Sequence, residues 1–124
     1  GPVALLAAPV LARRARRAFP AALDGMPFVL PAPGEVLRRR LDQWFEEAEV
    51  RPQVVVETDD PELRLRFAIA GAGIIAAPAT MAGGRLSVAG HASGVEERWW
   101  LATRRASRDP GLQAVLAGMR TFAG

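Results

Sequence analysis

The sequence predicts an α/β domain with a mainly parallel sheet and helices on both of its faces. Short apolar runs alternate with amphipathic helical patterns in the order βα, βα, βα, β and then ββα, and this alternation is typical of that class. The clearest unit is residues 52–78, PQVVVETDDPELRLRFAIAGAGIIAAP, which reads as strand, helix and strand. Half of the 124 residues are hydrophobic, which is enough for one core.

Two strand–helix units come before residue 52. Apolar residues 3–8 and 28–30 each predict a strand that ends at a proline. The helix after the first strand has a basic face, which we interpret as solvated or, alternatively, as a DNA-binding patch; it consists of Arg13, Arg14, Arg16 and Arg17. The second helix, at about residues 35–48, has an apolar core face made of Leu37, Leu41, Trp44, Phe45 and Ala48.

The third unit supplies the helix boundaries. β-Branched residues 53–56 predict a buried strand, and Pro61 fits the first turn of the helix that follows. The N-cap candidates are Thr58, Asp59 and Asp60, and the predicted core face is Leu63, Phe67 and Ala70, with Leu65 and Ile69 beside it. Gly71 is predicted to end the helix in the left-handed conformation, and residues 74–77 predict the next strand.

The pattern is weaker after Pro78. A turn is predicted at residues 82–84, a short strand at 86–88 and a strand with two tryptophans at 99–102. A terminal helix is predicted from Asp109, with an apolar face of Leu112, Val115, Leu116, Met119 and Phe122.

Composition excludes several kinds of site. The absence of cysteine excludes disulfides, thiolate metal sites and a cysteine nucleophile. The single histidine, His91, cannot form a multi-histidine metal site, and no serine lies in a nucleophile-elbow pattern. Gly71 and Gly73 follow a helix and precede a strand, the reverse of the order in a dinucleotide-binding loop. We therefore predict no catalytic residue, no metal site, no cofactor and no enzymatic activity.

The run LPAPGEVLRRRLDQWFEEAEVRPQVVVETDDPELRLRFAIAGAGIIAAP resembles the effector-binding domain of LysR-type transcriptional regulators. The shared pattern is a strand ending in proline, a helix, a turn, a strand, a second helix and AGxGIxxxP. Glu49 stands where a glycine usually opens that turn. The later run GHASGVEERWWLATRR matches the family's returning segment, and LDQWF, ETDDPEL and the early LLAAP look most like the regulators of sodium/proton antiporters.

The resemblance implies a periplasmic-binding-protein-like fold of type II, present as a partial domain. Residues 1–85 would form the second subdomain, and residues 86–124 would return to the first, whose N-terminal half is absent from this sequence. It also implies a cytoplasmic regulator that responds to a small-molecule or ion effector and acts as a homo-oligomer, a dimer or higher. DNA would be bound only through a winged helix-turn-helix that this sequence lacks. No apolar run is long enough to span a membrane.

The predicted effector site is the crevice at the carboxyl ends of the strands. Two loops reach it: Ala32, Pro33, Gly34, Glu35 and Val36, and then Glu57, Thr58, Asp59 and Asp60. Since four of these residues are acidic, like-charge repulsion predicts a cation or a neutral effector, in line with a sodium-responsive regulator; the other interpretation is that the acids only cap helices. Two further functions stay open: a solute-binding protein of a transport system with the same fold, and a small α/β transferase.

The C-terminal segment is predicted to mediate association. Without the opening half of the first subdomain it would expose an apolar patch, which monomers rarely tolerate; the residues are Trp99, Trp100, Leu112, Leu116, Met119 and Phe122. We expect this segment to dock on a second copy of the chain or to fold back on its own sheet.

Overall fold

The computed structural model describes residues 3–95, and the structural statements below concern those residues. The strands and helices are β1 Val3–Ala7, α1 Pro9–Arg16, β2 Pro27–Leu30, α2 Val36–Glu47, β3 Gln53–Glu57, α3 Pro61–Ile69, β4 Ile75–Pro78 and β5 Ser87–His91. This order confirms the predicted alternation as far as β5. The strand predicted at residues 99–102 and the helix predicted from Asp109 lie outside the described residues.

The sheet is mixed, where the sequence predicted a mainly parallel one. β1 lies between β4 and β5 and runs antiparallel to both, whereas β2 and β3 are parallel. The two sets meet at a parallel bridge between Phe28 and Ile74, where the N–H of Val29 donates to the Ile74 carbonyl over 2.9 Å. The sequence pattern did not show the strand directions. The ten residues between α1 and β2 include a 3₁₀ turn, Ala21–Leu23, so α1 does not lead directly into a neighbouring parallel strand.

Helices cover both faces of the sheet, as predicted. One face of β1 packs with α1 and α2, and its aromatic centre joins Phe28 to Phe45 with ring centroids 5.1 Å apart. Trp44 packs against Phe45 at 5.7 Å, so this pair belongs to the core, as predicted. The other face packs against α3 through Leu65 and Ala68. Within residues 3–95, no helix is long and apolar enough to cross a bilayer.

Strand β3 is an edge strand in the described part of the chain, where a buried strand was predicted. Val54 and Val55 are 39% and 42% exposed. β-Branched residues favour any pleated position, central or at an edge, so the composition of this run could not show how many neighbours the strand would have.

The buried face of α3 also differs from the prediction. Leu65 and Ala68 are buried, whereas Leu63 is 39% exposed and Ala70 is exposed. Apolar residues occur on most of the circumference of this nine-residue helix. Its periodicity therefore predicted a helix correctly but not the face that packs on the sheet.

Two helices end in the same way. After α3, the N–H of Gly71 donates to the Ala68 carbonyl and that of Ala72 to the Phe67 carbonyl, which is the Schellman pattern. After α2, Glu49 and Val50 repeat these bonds to Glu46 and Phe45. The residue that needs positive φ is Gly71, at 84°, in one case and Glu49, at 58°, in the other. The predicted conformation of Gly71 is confirmed, and it shows why glycine suits the position of Glu49.

We expect Gly71→Val to lower the free energy of unfolding of the complete regulatory domain by about 1–2 kcal/mol or more. A Cβ at this position would meet nothing within 4 Å, so the cost comes from the left-handed backbone, which a β-branched residue adopts poorly. Thermal and urea melts measure it. Ala70→Val is the matched control, since Ala70 has φ −73° and should lose only about 0.7 kcal/mol or less in helix propensity. Equal effects at both positions would contradict the interpretation.

The converse substitution, Glu49→Gly, should stabilise the same domain. Relief of the left-handed strain, about 1–2 kcal/mol, outweighs the extra chain entropy of glycine, about 0.5–1 kcal/mol. A net gain of about 0.5–1 kcal/mol in urea unfolding is therefore expected. A loss of stability would show that the Glu49 side chain makes a contact that compensates for its backbone conformation.

Candidate functional site

The carboxyl ends of β2 and β3 bring the two predicted loops together. Because these strands are parallel, the chain leaves both at the same edge of the sheet. The N–H of Thr58 donates to the Leu30 carbonyl over 3.0 Å, and the N–H of Ala32 donates to Asp59 Oδ1 over 3.3 Å. Residues that are 27 positions apart in the sequence thus become direct neighbours.

The first loop leads into α2. Its carbonyl at Ala32 accepts a hydrogen bond of 3.2 Å from the N–H of Glu35, and Gly34 takes a φ of 97° inside the turn. Glu35 occupies the N-cap position with no side-chain hydrogen bond to the helix. The N–H groups of the first turn of α2 therefore have no side-chain cap and carry the positive end of the helix dipole toward this edge. Pro33, Gly34, Glu35 and Val36 are exposed.

Three of the four acidic residues have a hydrogen-bonding or ion-pair partner among the described residues. Glu57 is paired with Arg38. Asp60 caps α3, since its Oδ1 accepts from the N–H groups of Glu62 at 3.0 Å and Leu63 at 3.3 Å, and Asp59 holds the first loop through Ala32. The helix-capping interpretation is thus confirmed for Asp60. Across residues 3–95, no group of three acidic or histidine side chains is placed to hold a metal ion.

Arg38 is a residue of this region that the sequence analysis did not single out. It contacts Glu57, binds Asp42 at 3.0 Å and donates to the Pro31 carbonyl at 3.0 Å. Burial acts to lower the pKa of Arg38, but its hydrogen bonds to Glu57 and Asp42 and the two carboxylate charges outweigh burial, so the pKa is raised. Arg38 therefore ties α2 to the ends of β2 and β3.

Arg64 is the second such residue. Its Nη1 donates to the Thr58 carbonyl over 2.6 Å, so the guanidinium lies at the carboxyl end of β3. Burial lowers the pKa of Arg64, opposed by the charges of Asp59, Asp60 and Glu35. It lines a small cavity of about 30 Å³ between the starts of α2 and α3 and the strand β4; the other lining residues are Leu37, Pro61, Leu65, Ile75, Ala76, Ala77, Pro78 and Met81. The helical spacing between the N-cap residue Asp60 and Arg64 was the signal in the sequence that could have identified Arg64 as part of this region.

A family model described as LysR substrate binding domain matches residues 1–123. The chain belongs to the LysR substrate-binding domain family. Such domains are regulatory rather than catalytic, and their fold is periplasmic-binding-protein-like, as the resemblance implied. Domains of this family bind effectors and take part in transcription regulation.

A similar solved structure is the regulatory domain of CcmR from Synechocystis PCC6803, determined in complex with 2-PG. It is 21% identical to this chain, and the two superpose with a TM-score of 0.53 over 70% of this chain and 45% of that one. This likeness shows a shared fold. This chain therefore spans less than half of that regulatory domain. No curated protein gives a significant match.

Proposed function

We propose that this chain is the effector-sensing part of a LysR-type DNA-binding transcriptional regulator that works in the cytoplasm and has no enzymatic activity. The observation that supports it most is the meeting of the two loops, at residues 32–36 and 57–60, at the carboxyl edge of the parallel strands β2 and β3. In this proposal residues 1–85 form the second subdomain and residues 86–124 return to the first. In the full-length regulator, DNA is read by a winged helix-turn-helix, as the resemblance implies.

The proposed effector site consists of the two loops named in the sequence analysis. The first offers the N–H groups at the start of α2, which have no side-chain cap, and the second offers the polar groups of residues 57–60. Ligands of open α/β sheets bind outside the carboxyl ends of the strands. The similar CcmR domain forms a complex with 2-PG, which supports a small-molecule effector for this chain too.

A response to sodium, and membership in the group that regulates sodium/proton antiporters, stay predictions. The described residues offer this ion little, because Glu57, Asp59 and Asp60 already have partners. A homo-oligomeric regulator is likewise a proposal, supported by the way LysR regulators act. The segment predicted to associate, which contains Trp99 and Trp100, lies outside the described residues; light scattering of this chain at micromolar concentration tests it.

The family assignment supports a regulator over a transport protein. The full-length protein should bind DNA, and a small molecule that raises the melting temperature of its regulatory domain should change that binding. Gel shifts of the full-length protein, with calorimetry of the complete regulatory domain, test both. A protein that binds solutes but no DNA would support the transport alternative and contradict the proposal. The predicted response to sodium is tested separately, by calorimetry in sodium, potassium and choline chloride at equal ionic strength. Asp59→Asn is the test variant, and Glu47→Gln is the exposed control.

A further inference from the structure

The outward face of α1 is a row of arginines. Its members recur at the spacing of one helical face, and all of them are exposed: Val10, Arg13, Arg14 and Arg17. Arg17 follows the last residue of α1 as its C-cap and keeps helical angles, with φ −59° and ψ −33°. The opposite face of α1 is buried in the core, so the row is held toward solvent.

The positive charge of this row is not neutralised within residues 3–95. No carboxylate of that range comes within 4.0 Å of Arg13, Arg14 or Arg17. The sequence gives the reason, because residues 3–23 and 63–95 contain no Asp or Glu. These two ranges include α1 and the strand β5 that packs against it. The first acid after α1, Asp24, accepts the N–H of Arg51 at 2.8 Å.

The other two helices pair their arginines with acids. In α2 and α3 an arginine and an acid lie one turn apart, Arg38 with Asp42 and Arg66 with Glu62, each at 3.0 Å. In α1 the residue one turn after Arg13 is another arginine. Like charges at this spacing destabilise a helix. The row therefore lowers the stability of α1 until an anion from outside the described residues binds to it.

The helix beneath the row is fixed to the sheet. Arg16 Nη1 donates to the Val88 carbonyl of β5 over 2.6 Å, which fastens the last turn of α1. Arg85 is exposed on the turn before β5, and β5 begins opposite Ala7, just before α1. It therefore adds a further cation near the start of the helix. A rigid set of cations on one side of a domain is the electrostatic footprint of a polyanion-binding surface.

We propose that Arg13, Arg14 and Arg17 bind the phosphate backbone of the DNA on which the regulator sits. A guanidinium matches a phosphate through paired N–H donors. Residues one turn apart are about 5–6 Å from each other, and one DNA strand presents a phosphate about every 3.4 Å along the axis. The row is therefore long enough to contact successive phosphates.

This inference rests on the proposed function, which brings a polyanion to the protein. It takes up the second of the two interpretations that the sequence offered for the basic face. It also extends the expectation that DNA is bound only through the winged helix-turn-helix. Phosphate contacts position a protein on the duplex without reading its sequence, so the row would add affinity while the helix-turn-helix keeps the specificity.

The test uses the full-length protein and a fluorescent duplex of mixed sequence, about 60 base pairs long, in about 50–200 mM sodium chloride. Anisotropy titrations compare wild type with the triple variant Arg13→Gln, Arg14→Gln, Arg17→Gln. The variant should bind about tenfold more weakly, or worse, at the lowest salt concentration. The slope of log affinity against log salt should become shallower by about 2–3, because each phosphate contact contributes about 0.9.

Two control variants separate this face from net charge. One removes three exposed arginines elsewhere, Arg39→Gln, Arg51→Gln and Arg66→Gln, and should change the slope by about 0.5 or less. The other changes the three α1 positions to lysine, which keeps the charges and should keep most of the slope. The glutamine variant should melt at the wild-type temperature or above, since it removes like-charge pairs from α1.

Each other outcome has a distinct meaning. Wild-type affinity and slope in the α1 glutamine variant would overturn the inference and leave the proposed function in place. Equal losses in that variant and in the control at Arg39, Arg51 and Arg66 would overturn it too, because only net charge would then matter. Unchanged DNA binding, with lost binding to phosphatidylglycerol vesicles, would assign the row to a lipid surface instead. A wild-type protein that binds no duplex would contradict the proposed function as well.

Discussion

Phe28→Ala is expected to lower the free energy of unfolding of the complete regulatory domain by about 3–5 kcal/mol. Phe28 is fully buried and packs edge-on against Phe45 at 5.1 Å. It also lies where β2 contacts β3 on one side and Ile74 on the other, so it joins the two parts of the sheet. Removal of the ring leaves a cavity at the junction of these strands.

Urea unfolding measures this loss, and Val10→Ala is the control. Val10 is 65% exposed on α1, so its truncation should change stability by about 0.5 kcal/mol or less. A loss at Phe28 of about 1 kcal/mol would show that the sheet is held together elsewhere, for example through residues outside 3–95. Since Phe28 also precedes the first loop of the proposed site, effector affinity should fall in parallel with stability.

Gly90→Ala is expected to destabilise the domain by about 1–3 kcal/mol through overpacking. Gly90 lies on β5 opposite Leu5, and an added Cβ would overlap the ring of Phe19, with Cδ2 only 2.6 Å away. Phe19 also stacks on Trp44 with ring centroids 5.9 Å apart, which limits its freedom to move.

A double-mutant cycle shows whether Phe19 causes this loss. Phe19→Ala removes the ring, so Gly90→Ala in that background should cost little, and the coupling between the two changes should be about 1–2 kcal/mol. Additive losses in thermal and urea melts would contradict the overlap and place the strain in the backbone of β5 instead.

The candidate site shows which of its features the sequence predicts and which it does not. The order of strand, helix and loop placed residues 32–36 and 57–60 at one edge, and the structure brings them into contact through Ala32 and Asp59. The partner of Glu57 could not be predicted, because its pairing with Arg38 spans 19 residues and no local pattern specifies it. Arg64 was missed for the same reason: its environment is formed by the starts of α2 and α3 together with β4.

The sequence by itself determined the α/β alternation, the helix ends and the family resemblance. These depend on local chemistry: Asp60 and Pro61 begin α3, Gly71 ends it in the left-handed conformation, and apolar periodicity predicts the helices. Only the tertiary structure decided that β3 lies at an edge, that β1 runs antiparallel to its neighbours, and which charges are compensated. The reason is physical, because strand order and the pairing of Arg38 with Glu57 are contacts between residues far apart in the chain, which local pattern does not specify.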